Sequence, residues 1–217
     1  MPAGTITDLV LQQGDQQRVN IFIDGAFAIG VSLTVVQDLR LHKGQQLSQA
    51  DWERLEAAEQ RARAWNAALA LLSQRARTER ELRERLRRKG FAEGPIDAVV
   101  RRLRELELID DAQFARQWIA TRQHLRPRGA LALRQELRAH GLAPQIVEQA
   151  LSEQIDAETE RQACTHVART VLRRYAGEAD WPSFQRKLGS YLLRRGFTFE
   201  TIKPILAELW RELREAQ

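Results

Sequence analysis

Three kinds of side chain in this 217-residue sequence are of types that do chemistry. Asp110 and Asp111 are adjacent carboxylates, suited to acid–base work or to holding a divalent cation. Cys164 and His166 bring a thiol near an imidazole, and the sequence is rich in arginine. The first two fail on spacing. Residues two apart on a helical stretch point about 200° away from each other, so Cys164 and His166 form no dyad. His42, His124, His140 and His166 occur singly, without the spacing of a zinc site, and are expected at the surface. Asp110 reads as a helix N-cap, with Gln113 at N3 closing a capping box. No phosphate-binding loop, dinucleotide fingerprint or nucleophile elbow is present. The expectation is a chain with no catalytic residue, no cofactor and no metal, that is, not an enzyme.

The arginines remain. Of 34 basic residues only Lys43, Lys89, Lys187 and Lys203 are lysine. Guanidinium suits bidentate contact with carboxylate or phosphate. Along 79–89, Glu79–Arg83, Glu81–Arg85 and Glu84–Arg88 stand at i, i+4 in the favourable order. This leaves Arg87 and Lys89 as uncompensated cations beside a helix C-terminus. Arg122, Arg126 and Arg128 surround Pro127 and Gly129 without a local acid, and Arg134 and Arg138 follow on the next helix. Arg173-Arg174 and Arg194-Arg195 repeat the theme. The same residues admit blander readings: cations complement a helix C-terminus, and an arginine-biased codon usage produces the same abundance. The net charge of +5 divides as −1 over 1–50, +3 over 51–109, +1 over 110–155 and +2 over 156–217. A polyanionic partner is allowed by this excess, not demanded.

These residues must be carried by elements, and two regions differ in character. In 1–50, Ile6–Leu11, Arg18–Ile23 and Ala26–Val31 read as strands. Gln12–Gln17 is a polar turn, and Asp24-Gly25 is a hairpin turn that needs φ > 0 at both positions. Ser32 is placed to cap a short helix running to about Leu39. From Ser48 the period becomes helical, with Thr78 and Glu81 forming a capping box. Gly and Pro then fall mostly between helices, including Gly94-Pro95, Pro144 and Pro182; Pro204 must sit in a first turn or kink its helix.

One pattern, Leu-x3-Leu-x3-Gly-[Phe/Leu], occurs three times. The copies are Leu82, Leu86, Gly90, Phe91; Leu133, Leu137, Gly141, Leu142; and Leu188, Leu192, Gly196, Phe197. Each Leu pair lies on one helix face, and each Gly falls where a left-handed residue stops the helix. A second apolar helical stripe follows each copy, starting at Ile96, Ile146 and Ile202. Another helix precedes each, anchored by Trp65 and Leu69, by Phe114 and Trp118, and by Val167, Val171 and Tyr175. The fold expected is mainly α: three tandem three-helix repeats in an elongated array after a small β-hairpin domain. The boundaries are 1–50, 51–109, 110–155 and 156–217.

A single cysteine fits a reducing compartment. No apolar run approaches the roughly 20 residues of a membrane helix. The start MPAGTITDLV lacks the features of a secretory signal, so a cytoplasmic protein without a membrane partner is expected.

The stretch RRLRELELIDDAQFARQWI (101–119) with TRQHLRPRGALALRQELRAHGL (121–142) resembles the core of the bacterial RecX regulatory proteins. RTERELRERLRRKGF (77–91) resembles the family's first repeat, and RVNIFIDGAFAIGVS the β extension of some members. The third repeat is similar mainly in position and in LLRRGF. Glu107 stands where members usually have glycine, so the turn before Ile109 is expected to be helical here. The resemblance implies a curved helical array that binds the RecA recombinase and its DNA filament. It implies restraint of filament growth, strand exchange and co-protease activity, within DNA repair, homologous recombination and the SOS response. Direct DNA contact would be weak, and the protein would act as a monomer. Arg87, Arg88 and Lys89 in the first repeat would be contact residues. So would Arg122, Arg126, Arg128, Arg134 and Arg138 in the second, and the basic theme adds Arg194 and Arg195. A stand-alone DNA-binding protein of tandem helical units is the alternative.

Overall fold

A computed structural model describes residues 3–215. The chain separates into two compact units, one closing at Ile109 and the other opening at Asp110.

The first unit begins with strands β1 (Gly4–Gln12), β2 (Asp15–Ile23) and β3 (Ala26–Ser32), then helix α1 (Leu33–Asp38) and the short strand β4 (Gln46–Leu47). They form an antiparallel sheet of order β3-β2-β1-β4. Asp24 and Gly25 both take positive φ (48° and 83°), as the hairpin turn requires. The β1–β2 turn is tighter than the sequence suggested, because Asp15–Gln17 already belong to β2. Alternation along β1–β3 turns Ile6, Ile21, Ile23 and Val31 inward, onto Val35, Leu41, Leu47, Trp52 and Leu55. The fourth strand carries too few residues to announce itself in sequence.

Helix α2 (Gln49–Leu72) starts at a capping box of Ser48 and Asp51 and serves two cores. Its Trp52 and Leu55 close the sheet, whereas Ala64, Ala68 and Leu71 enter the first helical bundle. Between them lies Glu59, 3 % exposed, which accepts hydrogen bonds from Arg18 Nη2 (3.0 Å) and from the Ser32 N–H (2.7 Å). This buried carboxylate fastens the sheet to the helix. Leu69, expected as an anchor, instead faces solvent; the small alanines do the packing because α4 crosses close by.

Helices α3 (Glu79–Arg88) and α4 (Glu93–Glu105) complete the first bundle around Leu82, Leu86, Ile96, Val99, Val100 and Leu103. The second unit holds two further bundles. One contains α5 (Asp111–Leu125), α6 (Ala130–Ala139) and α7 (Pro144–Gln154), around Phe114, Ile119, Leu133, Leu137 and Val147. The other contains α8 (Ala157–Val171), α9 (Trp181–Arg194) and α10 (Phe199–Glu215), around Val167, Phe184, Leu188, Leu192, Phe197 and Leu206. All six repeated leucines have no exposed surface. The prolines are placed differently from the expectation. Pro95, Pro144 and Pro182 sit in the first turns of α4, α7 and α9, where a missing N–H costs nothing. Pro204 lies in the second turn of α10, leaving the Glu200 carbonyl without its helical donor.

The three signature glycines end their helices in the same way. Gly90, Gly141 and Gly196 have φ of 86°, 85° and 89°. In each, the following residue donates back to the second leucine's carbonyl: Phe91 to Leu86, Leu142 to Leu137, Phe197 to Leu192, all at 3.3 Å. This is a Schellman stop repeated three times. A fourth copy closes α4 without glycine: Glu107 takes φ 54°, and the Leu108 N–H donates to the Leu103 carbonyl at 2.9 Å. The turn before Ile109 is therefore left-handed and not helical, a correction to the sequence reading. Packing of Ile109, 6 % exposed, into the first core holds it there.

Candidate functional site

The ten basic residues singled out by sequence fall into two groups once their partners are seen. In the first unit, Arg87 is not free: it reaches across to Glu93 at 2.5 and 3.1 Å. Glu79 accepts from Arg83 Nε at 2.8 Å and from Arg104, and Arg83 also donates to Asp97 at 2.6 Å. Burial opposes ionisation of Glu79, yet the Arg104 and Arg83 hydrogen bonds hold its carboxyl below the ordinary range. Glu84 binds Arg80 at 3.1 Å, where sequence spacing had assigned it to Arg88, and Arg75 reaches Glu81 at 2.8 Å. Arg88 and Lys89, at the α3 C-terminus, are exposed and have no ion pair among the described residues.

In the second unit the arginine loop is organised by one carboxylate absent from the sequence reading. Glu136 of α6 accepts from Trp118 Nε1 (2.8 Å) and Arg122 Nε (2.7 Å), and pairs with Arg128 Nη1 (3.0 Å). The Arg122 guanidinium also covers the Trp118 ring, 4.4 Å from its centroid. His140 packs its ring 4.3 Å from that of Trp118 and beside Phe114; it is half-buried among aromatics and not a plain surface residue. Arg134 makes a two-pronged contact with Glu148 (2.7 and 2.8 Å), and Arg138 joins the same carboxylate at 3.4 Å. The expectation of an unpaired surface is thus overturned for Arg122, Arg128, Arg134 and Arg138. Their acids lie eight to fourteen residues away, on the next helix along the chain, beyond any local spacing rule.

What the structure does bring together are two groups far apart in sequence. The Gly129 N–H donates to the Arg195 carbonyl (3.0 Å), and the Leu131 N–H to the Gly196 carbonyl (3.2 Å). The start of α6 thus abuts the end of α9, bringing the positive end of one helix against the negative end of the other. Glu160 takes the Ala130 N–H at 3.1 Å, completing the cap of α6. The contact requires glycine on both sides: a Cβ on Gly129 would lie 2.2 Å from the Gly196 oxygen, and one on Gly196 would lie 2.3 Å from Ala132 Cβ. Arg126 and Arg194 flank this junction, exposed and without ion pairs among the described residues. Arg195 lies against Tyr191, donating to its hydroxyl at 3.0 and 3.2 Å.

Asp110 caps α5, accepting from the N–H groups of Ala112 (2.8 Å) and Gln113 (2.9 Å). Cys164 is buried, and burial with the nearby Glu160 pushes its thiol up to about 12, so it stays protonated and packs as an apolar group. Among the described residues no three His, Cys, Asp or Glu side chains gather as a metal site, and no helix is long and apolar enough to cross a membrane. Arg88 with Lys89, and Arg126 with Arg194, are exposed cations of the kind that pair with carboxylate or phosphate.

Four family models match the chain in order. They are the regulatory protein RecX N-terminal domain (residues 4–48) and the first (64–103), second (110–151) and third (158–206) RecX three-helix domains. "Regulatory protein RecX" of Levilactobacillus brevis is 34 % identical over 94 % of this chain and 76 % of its own length. The protein of the same name from Listeria monocytogenes serovar 1/2a is 30 % identical over 96 % of this chain and 77 % of its own. A crystal structure of regulatory protein RecX superposes with a TM-score of 0.78 at 27 % identity, covering 93 % of this chain and 98 % of that one. RecX from Lactobacillus salivarius gives 0.65 at 27 % identity, over 70 % of this chain and 97 % of that one. With its sheet domain and all three helical bundles matched in sequence order, the chain belongs to the RecX family of regulatory proteins.

Proposed function

We propose that this protein is a non-catalytic regulator that binds the RecA recombinase on its DNA filament and restrains filament extension, strand exchange and co-protease activity. Family membership supports a regulatory role. The observation that carries the reading further is the junction of α6 and α9, which sets the unpaired Arg126 and Arg194 beside one seam on two different bundles. Together with Arg88 and Lys89 they present cations to acidic protein or to phosphate. Arg87, Arg122, Arg128, Arg134 and Arg138 have a different part: their ion pairs brace neighbouring elements, while Arg195 lies against Tyr191 at the end of its own helix. The protein acts in the cytoplasm, where RecA works on DNA.

The test is ATP hydrolysis by RecA on single-stranded DNA with this protein added. Wild-type chain lowers the rate, and replacing Arg126 and Arg194 by Ala weakens the effect while circular dichroism stays unchanged. Unaltered inhibition by that variant removes the junction from the interface. The alternative, a DNA-binding protein acting alone, is favoured if bare DNA is bound as tightly as the RecA filament.

A further inference from the structure

The three bundles share a backbone pattern, so residues at matching positions compare directly. One residue after the first repeated leucine stand Arg83, Arg134 and Gly189; seven after the signature glycine stand Asp97, Glu148 and Lys203. In the first two bundles these positions are bridged: Arg83 to Asp97 at 2.6 Å, and Arg134 to Glu148 at 2.7 Å. Each bridge straps the two repeat helices together over the groove between them. In the third bundle the strap is gone. Gly189 supplies no side chain, and Lys203 replaces a carboxylate with a cation.

A second pair of positions changes in the same direction. Arg87 and Glu93 bridge the first bundle at 2.5 Å, whereas the matching residues of the third are Leu193 and Phe199. Both are left in water, 49 % and 55 % exposed. The result is an open groove of about 280 Å³ between α9 and α10, lined by Gly189, Ser190, Leu193, Phe199, Ile202 and Arg186 among others. At its floor a Cβ on Gly189 would meet only Leu206 Cδ1, at 3.4 Å, so sterics do not demand glycine there. A mid-helix glycine costs about 1 kcal/mol relative to alanine. What the glycine does is keep the floor clear.

The charge at the rim selects the occupant. Arg186 lines the groove, and Lys203 follows the lining residue Ile202 on α10; both are exposed and have no ion pair among the described residues, and Asp180 faces Arg186 only at longer range, its carboxylate accepting the Ser183 N–H that caps α9. Apolar walls with two unpaired cations fit a peptide and suit a nucleotide poorly. We propose that this groove is a docking site for an acidic protein segment that seats one bulky apolar side chain over Gly189, between Leu193 and Phe199, with flanking carboxylates on Arg186 and Lys203. The inference does not depend on the filament reading of the preceding section.

The experiment is a 15N-resolved titration of the full chain with the synthetic peptide Asp-Glu-Trp-Glu-Asp, blocked at both ends. Saturable shifts are expected at the amides of Gly189, Leu193, Phe199 and Lys203, with a dissociation constant of order 100 μM. A peptide with Ala for Trp binds at least about tenfold more weakly. Gly189→Arg with Lys203→Glu rebuilds the strap of the other bundles and lowers affinity by about tenfold or more. Should that variant lose its fold, Arg186→Ala with Lys203→Ala tests the same rim from two exposed positions, and about a tenfold loss is again expected. Three outcomes overturn the proposal: shifts that do not saturate by about 2 mM peptide, affinity unchanged in a folded variant, or the same amides responding to a single-stranded oligonucleotide and not to the peptide.

Discussion

Two residues show how a single side chain is set by its surroundings. Glu107 occupies a left-handed position that costs an L-residue roughly 1–2 kcal/mol relative to the right-handed form. Glu107→Gly is expected to stabilise the protein by about 0.5–1 kcal/mol after the extra chain entropy of glycine, read as a higher denaturant midpoint at unchanged m-value. Glu79 carries a pH dependence. Its carboxyl is held below its ordinary 4.5 by Arg104 and Arg83, so its stabilising contribution is complete above 4.5 and is lost as pH falls through the lower folded-state value. The Tm difference between the parent and Glu79→Gln is therefore largest near neutrality and shrinks as the solution is acidified; a difference independent of pH would assign the residue no such part. The capping role of Asp110 was visible in sequence because a cap is a local, three-residue relation. The Glu136 hub was not, since Trp118, Arg122 and Arg128 meet it only after α5 and α6 fold against each other.

Elements were legible where a backbone requirement forces a residue type. The three signature glycines could be read directly, because a Schellman stop needs positive φ and the leucines before it must share one face. Leu137 makes the point energetically: it is fully buried in the second bundle, and Leu137→Ala should cost about 2–5 kcal/mol, seen as a drop in Tm. An unshifted Tm would place the repeat core elsewhere. Bridges between helices were not legible, because complementary charges fourteen residues apart are no more informative than any others until the register is known. Once the glycines set that register, Arg83–Asp97 and Arg134–Glu148 become one relation seen twice, and its absence at Gly189 and Lys203 becomes meaningful. The β4 strand and the double service of α2 follow from packing alone.

For the molecule as a whole, composition and spacing narrowed the reading without naming a role: a single cysteine and scattered histidines offered no local catalytic or metal-binding pattern. The family came from the joint motif, whereas telling which of its arginines are ion-paired and which are open to solvent required the folded chain. This difference bears on the salt dependence of the filament binding proposed above. If Arg126 and Arg194 meet phosphate, their removal flattens the slope of log affinity against log salt by about 0.7–0.9 for each phosphate left unneutralised. Breaking a scaffold pair such as Arg134 with Glu148 lowers stability and leaves that slope alone.

The abutment of Gly129 on Gly196 has a consequence for how such a chain can be rearranged. Repeats usually invite the idea of interchangeable cassettes, to be deleted, duplicated or swapped at will. Here the last two are spliced through main-chain amides and carbonyls, so cutting between them leaves the Gly129 and Leu131 donors on one piece and their acceptors on the other, to be met by water. A shortened or shuffled version keeps this seam only if it inherits the two bundles together.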